Sequence, residues 1–232
     1  MVTPGSFLSH LSADDGRFLL AAGTTRTYAR DDVLMHEGDP TDYVLVVVEG
    51  WVRVSVLSPE GHEVLLALRG PGDVLGELAA FSGSSRTASV RSLEPVRAGQ
   101  LRSDEFMARL RARPSIAVAV IQQLATRLLE AEAARVDFAA MAVSQRVAAF
   151  LGRLAAQHGV RWPEGIALDV PITQQDIANR VGASRRAVAR AMAVLRERNI
   201  AATVRGRIVI ARPDVLHMFA GTAPDIGAPR AP

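Results

Sequence analysis

Between Thr25 and Leu101 the apolar residues fall in short runs rich in β-branched side chains, such as Tyr43–Val48 and Val64–Leu68. Turn-forming clusters separate them: Glu37-Gly38-Asp39-Pro40, Glu49-Gly50, Pro59-Glu60-Gly61 and Gly70-Pro71-Gly72-Asp73. Trp51-Val52-Arg53-Val54-Ser55-Val56 alternates, with valine on one face. Strands at this spacing predict a sandwich or barrel-like roll, preceded by a helical lead-in around Ala13–Ala22. The period changes after Pro114. From there to Gly152 breakers are few, and Ile121, Leu124, Leu128, Ala131 and Phe138 follow steps of three and four, interrupted by Arg135. This seam suits a parallel helix pair or a helix lying on its own roll. A polar break around Asp137 and Val143-Ser144-Gln145 predicts a hinge.

Further on, Ile172–Leu195 reads as two short helices about Gly182. Thr173 and Asp176 form a capping pattern for the first helix, and Ser184 is a good N-cap for the second. Ile177, Val181, Val188, Met192 and Leu195 recur at helical spacing as a small core. Ala201–Ile210 then reads as two strands around Arg205-Gly206-Arg207. This is the pattern of a winged helix-turn-helix; the alternative is a structural three-helix unit with an incidental basic face.

Charge sharpens that choice. All 27 basic residues are arginine, which accounts for a pI near 10.4 on a net charge of only +3. Residues 1–110 hold 10 Arg against 15 Asp and Glu, whereas 111–232 hold 17 against 9. Residues 172–212 alone carry 9 Arg against Asp176 and Glu197. Arginine clustered on a short segment is the footprint of phosphate-backbone binding, although a solvated basic face has the same composition. On the second helix Arg185, Arg186 and Arg190 lie within about one and a half turns, suited to guanine edges or phosphates. Thr173, Gln174, Ser184, Arg205 and Arg207 complete the candidate DNA contacts.

The absence of cysteine excludes disulfides, thiolate zinc sites and cysteine-ligated iron–sulfur clusters. The five histidines are scattered without metal-ligand spacing, so neither metal nor haem is expected. No nucleophile–base constellation or P-loop is present, so the chain is not read as an enzyme. No apolar run approaches the roughly 20 residues of a membrane span, and MVTPGSFLSH is no secretory signal. A cytoplasmic protein without a membrane partner is expected.

Residues 72–90 carry the chemistry of the first half. Gly76 permits close backbone approach to an anion, Arg86 can fork onto two phosphate oxygens, and Thr87 adds a hydroxyl. Glu77 suits a sugar hydroxyl. Such a set fits a ligand with one phosphate charge and one ribose hydroxyl. The plainer alternative is a glycine-rich loop with a Glu77–Arg86 surface ion pair.

Gly76-Glu77-Leu78 followed by Arg86-Thr87-Ala88 resembles the phosphate-binding cassette of cyclic-nucleotide-binding domains, and Val33–Gly50 resembles the glycine-marked first hairpin of their β-roll. The C-terminal half resembles the DNA-binding domain of the Crp/Fnr family of transcription regulators; together the likeness spans roughly residues 15–215. It implies an α+β fold with four parts: a β-roll sensor at 1–110, a dimerisation helix and hinge at 111–142, a winged helix-turn-helix at 143–220 and a disordered tail at 221–232. It also implies a homodimer on a double-stranded DNA operator. A cyclic nucleotide effector, cyclic AMP first and cyclic GMP second, would be held by Gly76, Glu77, Leu78, Arg86, Thr87, Ala88, Arg127 and Glu132. The loop near His158–Gly165 becomes a candidate contact for RNA polymerase.

Three departures modify this picture. Ala80 replaces a larger aliphatic residue. Ala131 and Glu132 stand where cyclic-AMP receptors present a Thr-Ser pair to adenine, so the usual base readout is missing. Arg186 stands where the family commonly has a glutamate that reads cytosine, which implies an altered operator. The alternative reading is a regulator of this family that is constitutive or answers a different ligand.

Overall fold

The structure, a computed structural model, describes residues 2–221; the tail predicted at 221–232 lies outside the described residues beyond Gly221. The chain divides into two compact units, residues 1–129 and 130–232.

The first unit opens with a 3-10 turn at Phe7–His10 and helix α1 (Ala13–Leu20), whose N-cap Ser12 accepts the Asp15 amide. Eight strands follow: β1 (Thr24–Tyr28), β2 (Val33–Met35), β3 (Tyr43–Glu49), β4 (Val52–Leu57), β5 (Glu63–Arg69), β6 (Val74–Leu75), β7 (Ser89–Ser92) and β8 (Val96–Arg102). A short helix α2 (Glu77–Ser82) interrupts them, and helices α3 (Ser103–Ala112) and α4 (Pro114–Ala140) come after. The strands form two antiparallel sheets, ordered β1-β8-β3-β6 and β2-β7-β4-β5.

Strand β3 explains how this unit is layered. Val44, Leu45, Val46 and Val47 are all fully buried. Successive side chains of a strand point to opposite faces, so a continuous apolar run marks a strand covered on both sides. Val44 and Val46 join Phe7, Leu19, Phe106, Ile116 and Val120 in a core between sheet and helices. Leu45 and Val47 join Leu34, Met35, Val52, Leu75 and Val90 in a core between the two sheets. The valine face expected on β4 is incomplete: Ser55 is buried as well, its hydroxyl donating to Glu63 Oε1 at 2.8 Å.

Helix α4 lies on its own roll along one side and leaves another apolar side exposed. Leu124 does not extend the outward seam; with Ile116, Ala119 and Val120 it packs on the unit's own core. Val118, Ile121, Leu128 and Leu129 are exposed instead, with Ala125 beside them. Asp137 does not break the helix. It is buried within the last turns and accepts from Arg153 Nη2 at 2.6 Å, so the interruption falls at Met141-Ala142. Nor does Gly152 end the next helix, α5 (Val143–His158), where it faces the His217 ring. Ala142, at the N-cap of α5, has no side-chain acceptor, and Gln145 Oε1 takes its amide at 3.0 Å.

The second unit continues with hairpin β9 (Gly159–Trp162) and β10 (Gly165–Leu168), helices α6 (Gln174–Val181) and α7 (Arg185–Glu197), strands β11 (Ala201–Val204) and β12 (Arg207–Ile210), and helix α8 (Pro213–Ala220). The strands form one sheet ordered β11-β12-β10-β9. Ile177, Val181, Val188, Met192 and Leu195 are all buried, as their spacing predicts. Gly182 turns the chain between α6 and α7 at φ 59°, and a Cβ there would collide with the Phe138 ring. Arg146 in turn stacks on Phe138, 4.7 Å from the ring centroid.

Two penalties therefore act at position 182. Gly182→Ala is expected to lower stability by about 2–4 kcal/mol, from left-handed backbone strain plus overpacking. Chemical denaturation of the single variants and of the double variant with Phe138→Ala checks this. The overpacking part should disappear in the double variant, giving a non-additive cycle.

Candidate effector and DNA-binding sites

The cassette forms where β6 runs into α2. Gly76 sits at the N-cap of α2 at φ 83°, and a Cβ there would strike Arg86 Nη1 and come within 2.9 Å of Met35 Cε. Only glycine fits this approach. Arg86 is not a surface residue: it is 4% exposed and lies over the Tyr43 ring, 4.8 Å from its centroid. Its Nε donates to Thr41 Oγ1 at 2.6 Å, Nη1 to the Gly76 carbonyl at 3.0 Å and Nη2 to the Tyr43 carbonyl. A guanidinium has five N–H groups, so these bonds leave one on each terminal nitrogen, enough to donate to two oxygens of an anion. Burial pushes the Arg86 pKa down, opposed by Tyr43, Glu77 and the nearby aspartates. A bound anion would relieve that cost.

Glu77 does not pair with Arg86 at the surface. It is 2% exposed and accepts from Arg127 Nη1 at 2.7 Å. Arg127 Nη2 also donates to the Val74 carbonyl at 2.7 Å and lies 4.0 Å from Asp73 Oδ1. One side chain of α4 thus holds both β6 and α2. Leu78 and Thr87 are exposed and Ala88 half-buried. Glu132 is exposed and belongs to the second unit, as does Ala131. Sequence reading missed Thr41 and Tyr43. They lie 45 and 43 residues from Arg86 along the chain and are brought near by the fold, where the Arg86 backbone exchanges hydrogen bonds with Gly38 and Asp39 in the loop before β3.

In the second unit, Thr173 caps α6: its hydroxyl accepts the Asp176 amide, while Asp176 Oδ2 accepts the Thr173 amide at 2.8 Å. Ser184 caps α7 by accepting the Ala187 amide at 3.2 Å. Gln174 is half-buried. Arg185, Arg186 and Arg190 are exposed on one side of α7, opposite buried Val188, Ala191, Met192 and Leu195. Arg205 and Gly206 form the two-residue turn of the wing at φ 49° and 79°, which displays Arg205. Arg207 is engaged elsewhere, donating to Asp169 Oδ1 at 2.9 Å, with the Trp162 ring 5.9 Å away.

Residues 25–113 match the cyclic nucleotide-binding domain and residues 145–219 the Crp-like helix-turn-helix domain. The chain is 35% identical over 168 residues to the CRP-like cAMP-activated global transcriptional regulator of Mycobacterium tuberculosis, covering 72% of this chain and 74% of that relative. The chain belongs to the Crp/Fnr family of transcription regulators. It is also 29% identical to the global nitrogen regulator of Synechococcus elongatus, over 82% of this chain and 86% of that one. Its fold is similar to that of a CooA variant from Carboxydothermus hydrogenoformans, with a TM-score of 0.78 at 20% identity, over 95% of this chain and 98% of the other.

Within this Crp/Fnr regulator, no helix is long and apolar enough to cross a membrane, and no three histidines or carboxylates come together as a metal site requires, both among the described residues. The Glu77–Arg127 pair generates a stability prediction. Arg127→Ala leaves a buried carboxylate without its cation and should cost about 3–5 kcal/mol, whereas Arg127→Met combined with Glu77→Gln should cost markedly less. Denaturant midpoints of the two proteins check this.

Proposed function

We propose that the protein is a cytoplasmic, homodimeric regulator whose affinity for a double-stranded DNA operator is set by a cyclic nucleotide, cyclic AMP first, bound at the cassette. The observation that carries this reading is the trio of buried Arg86, buried Glu77 and half-buried Arg127. Arg86 would take the cyclic phosphate with its two remaining N–H groups, helped by Thr87. Glu77 would take the ribose hydroxyl. Arg127 would then register the ligand on α4, because the carboxylate it holds is the one the sugar competes for. An effector with higher affinity for one hinge arrangement shifts the population toward it, setting two recognition helices about one DNA turn apart. Residues 1–110 are the sensor, 111–142 the dimerisation helix and hinge, and 143–220 the DNA-binding part. The exposed strip Val118, Ile121, Ala125, Leu128 and Leu129 supports pairing with a second copy through α4. The β9–β10 hairpin is the candidate contact for RNA polymerase.

Cyclic AMP is supported by the relative described as cAMP-activated. Ala131 and Glu132 favour a second reading, in which the roll answers a different ligand or none, because neither supplies a hydroxyl to a base. Isothermal titration with cyclic AMP and, separately, cyclic GMP distinguishes the two once pre-bound ligand has been excluded by mass spectrometry. Saturable binding is expected. Because Arg86 also holds two buried carbonyls, Arg86→Lys and the exposed Thr87→Ala are better variants than Arg86→Ala. Binding unchanged in both would remove the assignment, and no heat with either nucleotide would select the second reading. Converting Ala131→Thr together with Glu132→Ser should raise cyclic-AMP affinity by about 2- to 12-fold, the worth of one hydrogen bond. Leu128→Glu should shift the protein toward monomer in sedimentation velocity.

A further inference from the structure

From Arg185 to Arg196 helix α7 reads Arg-Arg-Ala-Val-Ala-Arg-Ala-Met-Ala-Val-Leu-Arg. Its inward side is Val188, Ala191, Met192 and Leu195; its outward side over the first turns is Arg185, Arg186, Ala189 and Arg190. A guanidinium carries five donors, accepts nothing and stays charged, and an alanine methyl does neither. Through these three turns, therefore, no side chain can accept a hydrogen bond. Ser184 Oγ takes the Ala187 amide, and on the neighbouring helix Asp176 bonds Thr173 and Asn179 Oδ1 takes Gln175 Nε2 at 2.7 Å, so the remaining side-chain acceptors beside α7 are the amide carbonyls of Gln174 and Gln175 on α6 rather than any group of α7 itself. Glu197 lies at the far end of the helix, about 18 Å along the axis from Arg185.

The major groove presents two acceptors on guanine, an acceptor and a methyl on thymine, an acceptor beside a donor on adenine, and only a donor on cytosine. A donor-only face satisfies guanine fully and thymine in part, and leaves the amines of cytosine and adenine unread. Resting on the DNA-binding reading above, we infer that each operator half-site is specified through guanine O6 and N7 edges and thymine methyls, with Arg186 itself a guanine reader. Arg186 and Arg190, four residues apart, share one side of the helix about 6 Å apart along its axis. That is short enough for both to reach bases of one half-site. The Ala189 methyl beside them suits a thymine methyl. No acceptor in this stretch competes for cytosine.

The test begins with selection of bound duplexes from a random pool by the full-length protein, with cyclic AMP and without added nucleotide. Fluorescence anisotropy on the selected site follows. Two guanines per half-site are expected. Replacing either by 7-deazaguanine, which keeps Watson–Crick pairing but removes N7, should weaken binding at least roughly fivefold. N4-methylcytosine opposite them should leave affinity unchanged. Arg186→Glu, an exposed substitution, should move the preferred base at one position from guanine to cytosine on the same strand. A selected site insensitive to 7-deazaguanine, or a preference for cytosine at that position with Arg186 still in place, overturns the inference while DNA binding stands. Failure of the folded protein to retain any duplex would remove the DNA-binding reading itself.

Discussion

Burying a charged group costs several kcal/mol unless partners replace the water it loses. The roll obeys this constraint at three side chains together. Glu77 and Arg127 neutralise each other, and Arg127 spends a second N–H on the Val74 carbonyl. Among the described residues, Arg86 has no carboxylate in hydrogen-bonding contact; it is held by a hydroxyl, two carbonyls and an aromatic face. These partners keep the guanidinium in place, with Glu77 and the nearby aspartates acting on its charge only at a distance. A site organised in this way is suited to an anion, because the fold holds the cation in place while part of its burial cost remains for the anion to relieve. It also ties β3, β6, α2 and α4 to one small volume.

The second unit relies on a different constraint, the restricted chemistry of its residues. With lysine and cysteine absent and arginine the only permanent cation, every strong donor on α7 is a planar fork. The caps of α6 and α7 use the available hydroxyls and the Asp176 carboxylate internally, which fixes the helices. The Phe138 ring, seated on Gly182 and covered by Arg146, places the end of α4 against the turn between those helices. Asp137 and Arg153 close the same corner.

Much of this was legible in one dimension. The capping residues Thr173, Asp176 and Ser184, the turn glycine at 182 and the five core positions of α6 and α7 act over a few residues, so their spacing alone specifies them. The short strands and the Gly76–Arg86 cassette were visible for the same reason. The reading failed where a partner lay far along the chain. Leu124 fits an outward seam by spacing, but the core beneath α4 takes it. Asp137 reads as a polar break until Arg153 is brought beside it.

By itself the amino-acid sequence determined the architecture and the family, because those depend on local periodicity and side-chain chemistry. Only the tertiary structure decided who pairs with whom. It gave Glu77 to Arg127 rather than Arg86, and turned Arg86 inward onto Thr41 and Tyr43. A buried charge takes whichever partner the packed sheets and helices bring within about 3 Å, and that distance is set by the packing of segments more than forty residues apart rather than by spacing along the chain.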